Sequence, residues 1–317
     1  MTTRHLLVSI LAVFFATLMT SSVEARVWVV AQSGPRDFDE IKPAVEAAAS
    51  GDTILIRDGK YFEVPIEISK SLTLIEQQGT RARYQGGLFV RNLAPTDVVV
   101  IRGLHLPYGT LVCEDNEGEI WVEGCELEYG RNPGFGTATF INCSRVTMTH
   151  STVIGAPGVS ALDEPAEDAL YAENSAVTLY SCTLEGGFGD VGGPDCCDQP
   201  AGDACVFKNN RLFASGCQFQ GGDGGDESGG HGLWRQGDAI VHQLGSTFQG
   251  GSGNPPGMDI NGGGVNHLAG EPKSYRIDAT GIEGTPLKLT FEGIVGDLVL
   301  LHPVSYTHLT LPTILRV

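Results

Sequence analysis

The sequence predicts an all-β protein, a right-handed parallel β-helix with a capping helix at its amino end. Three observations predict it. Forty-three glycines and 16 prolines in 317 residues imply many turns and little helix. A segment of fixed strand pattern recurs at residues 120–127, 146–153, 177–184, 212–219 and 241–248, with a weaker member at 99–106. One amphipathic helix precedes the repeats, where an uncovered first coil would expose apolar surface and backbone groups.

The amino end comes first. Arg4 and His5 give a short positive start, residues 6–19 are apolar, and Val23 and Ala25 put small residues where a signal peptidase reads. The apolar run is shorter than the ~20 residues of a spanning helix. Residues 1–25 are therefore read as an export signal. The mature protein is expected to be secreted or on the cell surface, with no membrane span after cleavage. A strand is expected at 27–30. Asp37 with Glu40 three residues on makes a capping box. Ile41, Ala44, Val45 and Ala48 then form one apolar helical stripe, with Pro43 disturbing the start and Gly51 at the end. Strands at 52–58 and 71–75 follow.

The repeats carry a marker, Cys125, Ser151, Cys182, Cys217 and Ser246, in steps of 26, 31, 35 and 29 residues. A fixed strand core with variable loops is the signature of a solenoid. Leu, Val, Leu, Phe and Phe two positions beyond the markers set the markers in the interior. Another strand precedes each segment across a polar turn, at 115–116, 142–144, 173–175 and 209–210, where Asn tolerates a left-handed backbone. Each coil adds ~4.8 Å of height. Cys182 and Cys217 fall on neighbouring rungs, and their parallel directions favour buried free thiols over a bridge. Cys196 or Cys197 paired with Cys205 is the disulfide candidate, stapling an insertion loop; neither spacing is a zinc motif.

The solenoid is assigned to residues 26–268. Residues 269–303 change character, alternating like antiparallel strands at 274–278, 287–291 and 297–301, the start of an incomplete β-sandwich-like domain. Residues 304–313 match the translation of a transposon-end sequencing adapter. Residues 304–317 are accordingly read as adapter-derived, and Tyr306 and His308 enter no functional argument.

The formal net charge of −18 repels nucleic acid and anionic membranes, and polyuronates too unless a divalent cation intervenes. Long loops at 155–168, 186–203, 221–227 and 250–261 project from one edge of the stack. Their Asp190, Asp195, Asp223, Asp226, Glu227 and Asp259 are calcium candidates, since adjacent carboxylates on flexible glycine loops can gather 6–8 oxygen ligands. The alternative is that these acids only cap turns in solvated loops. Phe188 and Trp234, near the loop edge, are the candidate carbohydrate contacts, whereas Trp121 sits inside a strand and is expected to pack.

Strand, Asn corner, strand and glycine loop in repetition resemble the pectin-lyase-like superfamily of right-handed β-helices over residues 27–264. The opening 37–41 and 47–54 resemble the first coil of many such proteins. Relatives that hydrolyse polygalacturonate carry Asn-Thr-Asp, Asp-Asp, Gly-His-Gly and Arg-Ile-Lys on successive coils. Here only Gly230-His231-Gly232 is present, no Asp-Asp pair exists, and Arg276-Ile277 is followed by Asp278. The lyases' positioned base has no recognisable counterpart among Lys208, Arg211 and Arg235. The expectation is therefore a structural or binding module, carbohydrate-binding and calcium-stabilised, acting on extracellular polysaccharide or cell-surface components without a covalent step. The rival is a polysaccharide lyase or glycoside hydrolase with an unfamiliar site, for which Asp226, His231 and Asp238, with Asp223 beside them, are the catalytic candidates. A third reading is a stalk in a larger surface protein.

Overall fold

The computed structural model describes residues 25–132, 135–159, 164–189 and 199–272, together with the backbone of four short strands further on. The chain passes repeatedly through three ladders of parallel strands. The first ladder holds Val27–Val30, Thr53–Ile56, Leu72–Glu76, Val98–Arg102, the later halves of Leu111–Glu123 and Gly136–Thr149, then Ala176–Tyr180, Arg211–Ser215, Ile240–Leu244 and Asn266–His267. The second runs from Ile66–Ile68 through Asp168–Glu173, Cys205–Lys208 and Leu233–Gln236 to Ile260–Asn261. The third runs from Gly59–Phe62 through His105–Pro107 and Glu126–Gly130 to Thr247–Gln249. Among the described residues this is an all-β, β-helix-like fold with long parallel sheets and one helix. No described helix is long and apolar enough to cross a membrane.

The aligned repeats are in register. Val99, Ile120, Val146, Val177, Leu212 and Val241 form one buried column of the first ladder. Leu106, Leu127, Val153, Leu184, Phe219 and Phe248 form the facing column of the third. Each side chain is covered by its counterparts one rung above and below. Full burial of a Val, Leu or Phe stabilises by roughly 1.5–3 kcal/mol, so a matched column is what holds successive rungs together.

The corners differ in chemistry. Between the second and first ladders, Asn92, Asp115, Asn142, Asn174 and Asn209 all take left-handed φ of 50–57°. There Asn142 donates to Asp115 (2.8 Å) and Asn174 to Asn142 (3.3 Å). Between the first and third ladders the left-handed residue is Gly103, Gly124, His150, Ser181, Gly216 or Gly245. The markers follow that corner and point inward. Ser151 Oγ accepts the Cys125 amide (3.1 Å), Cys217 Sγ that of Cys182 (3.4 Å), and Ser246 Oγ that of Cys217 (3.1 Å). The six described cysteines are buried and free. Cys205 follows Leu170 in an inward column of the second ladder, so its thiol lies in the core rather than in the loop. Cys196 and Cys197 lie outside the described residues.

The capping helix departs from expectation. It spans Ile41–Ala47 with Glu40 at the N-cap, and no capping box forms. The helix starts four residues beyond Asp37, which is turned to the Val29 amide, and Pro43 at the third helical position offers no N–H to a cap from Glu40. Glu63, from the next coil, supplies the cap instead, accepting the amides of Ile41 (2.7 Å) and Lys42 (2.8 Å). Asp37 accepts the Val29 amide (2.9 Å). Beyond the ladders, Ser274–Ile277 pairs antiparallel with Leu289–Glu292, and Leu298–Val299 with Leu315–Arg316.

Candidate functional site

The described parts of the glycine loops at the corner between the third and second ladders are joined by backbone hydrogen bonds, and those backbones interlock. The Glu167 amide donates to Ala156, Gly187 to Glu167, Gly202 to Gly187, Gly222 to Gly202, Gly230 to Gly222, Gly251 to Gly230 and Gly257 to Gly251, all at 2.8–3.0 Å. Three residues further out, Gly158, Gly189 and Gly224 donate to Phe188, Asp223 and Ser252. Glycine thus recurs every third residue, at 155/158, 186/189, 221/224 and 250/253. That is the period of an extended threefold helix, in which only glycine fits where backbones approach closely. A Cβ on Gly230 would lie 1.8 Å from the Gly202 oxygen, and one on Gly251 1.9 Å from that of Gly222. The described parts of the loops form a close-packed wing.

The described acids of the wing hold backbone rather than converge. Asp223 accepts the amide and hydroxyl of Ser252 (2.8 and 2.9 Å), and Asp259 the amide of Gly250 (3.0 Å). Asp226 is exposed at a loop tip, beside Glu227, whose amide donates to Gly224. Asp190 and Asp195 lie outside the described residues. Phe188 is exposed near the wing's tip, and its carbonyl receives the Gly158 amide. Trp234 is exposed on the second ladder, 6.1 Å edge-on from His231.

The catalytic candidates are not brought together. Asp226 is at the tip of the wing and His231 at its base. Asp238 lies past the far end of Leu233–Gln236, a strand of ~13 Å at ~3.3 Å per residue. His231 is also fully engaged. Its Nδ1 accepts the Met258 amide (2.9 Å), and its Nε2 lies 2.8 Å from the Asn261 Nδ2.

Sequence reading missed the acids beneath the wing. Asp168 accepts the Asp203 amide (2.7 Å) and Asp203 the His231 amide (2.5 Å), one rung apart each time. Burial, then the neighbouring Asp203 charge, pushes the Asp168 carboxyl well up; burial does the same to Asp203. Burial also raises Glu167, 6% exposed, to about 7 against the pull of Arg131. This column repeats the corner logic: one side chain per rung receives the next rung's amide.

One other cluster brings together the donor types of a metal site, His105, Glu126 and Glu128, on the third ladder. Its geometry fits a charge network better. Arg81 Nε donates to His105 Nδ1 (3.3 Å), which puts the imidazole proton on Nε2, directed to Glu128 (2.9 Å). A ligating Nε2 would need its proton on Nδ1, facing that guanidinium donor. Arg81 also pairs with Glu126 at 2.7 Å.

The outer face of the first ladder carries a shallow trough. Val100, Trp121, Thr147, Thr178, Phe213 and His242 form one outward column. Trp121 does not pack into the core; it is 36% exposed. A trough of about 160 Å³ lies beside it, lined by Glu119, Trp121, Arg145, Thr147, Ala176 and Thr178. Arg145 is paired with Glu119 (2.6 Å). Side chains shrink along the column from Trp121 to Thr147 and Thr178 before Phe213, and Ala176 lies in the neighbouring column between Arg145 and Arg211. Three rungs separate those aromatics, ~14 Å. Phe213 is braced edge-to-face by Tyr180 (5.7 Å). The aligned repeat already places these residues in one column, so the signal was the outward parity of Trp121, shared with Glu119 and Glu123.

Two tyrosines also stand out. Tyr108 and Tyr129, on successive rungs at the wing's corner, have φ of 63° and 58°, with ring centroids 6.0 Å apart at 37°. For a bulky residue the left-handed region costs about 1–2 kcal/mol.

No protein-family model matches the chain, and no curated protein matches it. Among solved structures it is similar to "Geobacillus virus E2 - ORF18", with 12% identity and a TM-score of 0.38, over 66% of this chain and 46% of that one. The chain thus spans a little under half the length of that protein.

Proposed function

We propose that the chain is a right-handed parallel β-helix of the pectin-lyase-like kind, secreted or cell-surface, that binds an extended polysaccharide without a covalent step. The observation that carries this reading is the trough on the first ladder, lined by Trp121, Arg145, Thr147, Ala176 and Thr178, with Phe213 one rung beyond Thr178. An indole at one end stacks on the apolar face of a sugar, and hydroxyls on successive rungs meet its rim. The repeat along the trough favours a linear polymer laid along the stack. Calcium binding by the loop acids stays a separate proposal, since Asp223 and Asp259 each hold an amide through one oxygen and keep the other. A hydrolase reading would need two carboxylates flanking one bond, ~6.5–9.5 Å apart, and Asp226 and Asp238 sit at different corners.

The test is calorimetric titration of neutral and acidic oligosaccharides of increasing length. Affinity should rise until the ligand spans the trough and then level off. Trp121→Ala should weaken binding 5–10-fold, about 1–1.4 kcal/mol. Equal affinity in the variant would remove the trough from consideration.

A further inference from the structure

We infer that Tyr108 and Tyr129 form a second carbohydrate subsite, a stacking platform for one neutral pyranose ring; this rests on the polysaccharide-binding reading but uses a different face. Among the described residues, left-handed φ outside glycine falls on Asn or Asp throughout one corner, and on His150 and Ser181 at another. At the remaining corner it falls on two tyrosines in succession. Asn would take this conformation with less strain. Strained backbone beneath an exposed Tyr108 and a half-buried Tyr129 points to what these side chains do outside the fold.

The local packing holds the pair in place. Gly109 and Gly130, the residues that follow them, stack so closely that a Cβ on Gly130 would lie 2.3 Å from the Gly109 oxygen. The Tyr108 amide donates to the Glu128 carbonyl at 2.7 Å. Neither backbone has room to relax, so both rings are presented from a fixed frame. Tyr108 is 69% exposed. Two phenol rings 6.0 Å apart and tilted by 37° make an open angle, with a hydroxyl on each. The electronegative ring faces suit a surface of polarised C–H bonds, and the hydroxyls suit a polar rim. A pyranose offers both.

The charges nearby select a neutral ligand over a cation. Glu126 and Glu128 are the closest carboxylates along the strand, and Arg81 and His105 already hold them. Arg131 is paired with Glu164 (3.1 Å) and so offers no free charge to an anion. The pair lies at the corner that does not border the first ladder, so trough and platform are separate sites on the chain.

The test uses the full chain and neutral hexasaccharides of β-1,4-glucan, β-1,4-mannan and α-1,4-glucan, with wild type, Trp121→Ala and the double variant Tyr108→Asn/Tyr129→Asn. Asn keeps the left-handed turns and removes the rings. The double variant should lose at least 5-fold in affinity for a sugar that wild type binds, while its melting temperature holds or rises. A melting temperature that falls with affinity unchanged would make the tyrosines structural and overturn the subsite. Loss in Trp121→Ala alone would leave the trough and overturn the platform. Loss in the double variant alone would do the reverse. Binding of none of the three glycans by wild type would overturn both.

Discussion

Replacing Gly230 by alanine would place a methyl carbon 1.8 Å from the Gly202 carbonyl oxygen and 2.6 Å from its carbon. Both are backbone atoms, so no side chain can swing aside. Restoring ordinary contact requires the strands of the wing to part by more than 1 Å, on the order of the well width of a packed contact. Three hydrogen bonds meet at that point: Gly230 to Gly222 (2.9 Å), Gly251 to Gly230 (2.8 Å) and Gly222 to Gly202 (3.0 Å). At ~0.5–1.5 kcal/mol net for each, their loss is worth about 1.5–4.5 kcal/mol. A solenoid need not unfold as one unit, so the assay is amide hydrogen exchange at residues 222, 230, 251 and 257, alongside a urea melt. Protection at those amides should fall by one to three orders of magnitude, following ~1.4 kcal/mol per tenfold. Gly264→Ala is the control, because a Cβ there meets open space. Protection within a factor of two of wild type in Gly230→Ala would refute the claim that the wing is a close-packed glycine layer.

Stability should fall as pH rises from 5 to 8. Burial lifts Glu167 from 4.5 to about 7 in the folded chain, so its contribution is complete below 4.5 and lost as pH rises through about 7. Asp168 and Asp203 shift in the same direction. Glu167→Gln should flatten the profile by ~1–3 kcal/mol in denaturant melts, and a stability that climbs with pH would contradict this. Glu63→Ala strips the amides of Ile41 and Lys42 of their acceptor and should cost about 1–2 kcal/mol, read by urea melting; a change under ~0.3 would count against the long-range cap. Burial raises the thiols of Cys113, Cys143 and Cys205, and that of Cys125 to about 12. Iodoacetamide at pH 8 should leave these four unmodified in the native chain and alkylate them after denaturation, as peptide mass spectrometry would show.

The ladders were legible because one inward column per strand, from Val99 to Val241, repeats at a fixed distance from a Cys or Ser marker. Loop lengths vary around it, but parallel pairing depends only on the columns, so the alignment was the register. Asn corners were legible for a similar local reason: left-handed φ narrows the choice of residue. The cap was not, since Glu63 reaches the helix from 22 residues away and only the missing amide of Pro43 hints that a local box would fail. The close packing of the wing was not legible because glycine serves flexibility and close approach alike. The three-residue spacing at 155/158, 186/189, 221/224 and 250/253 distinguishes the two, and it becomes meaningful once neighbouring loops are known to lie one rung apart. Tyr108 and Tyr129 carry no motif; their backbone angles, invisible in composition, single them out.

The most direct test of the central claim is a titration of the wild-type chain with the polysaccharide it binds best, followed by assay of the same mixture for new reducing ends and unsaturated products. The account predicts saturable binding, weakened 5–10-fold by Trp121→Ala, with no new ends and no unsaturated sugar. Turnover products, or undiminished binding by the Trp121 variant, would contradict it.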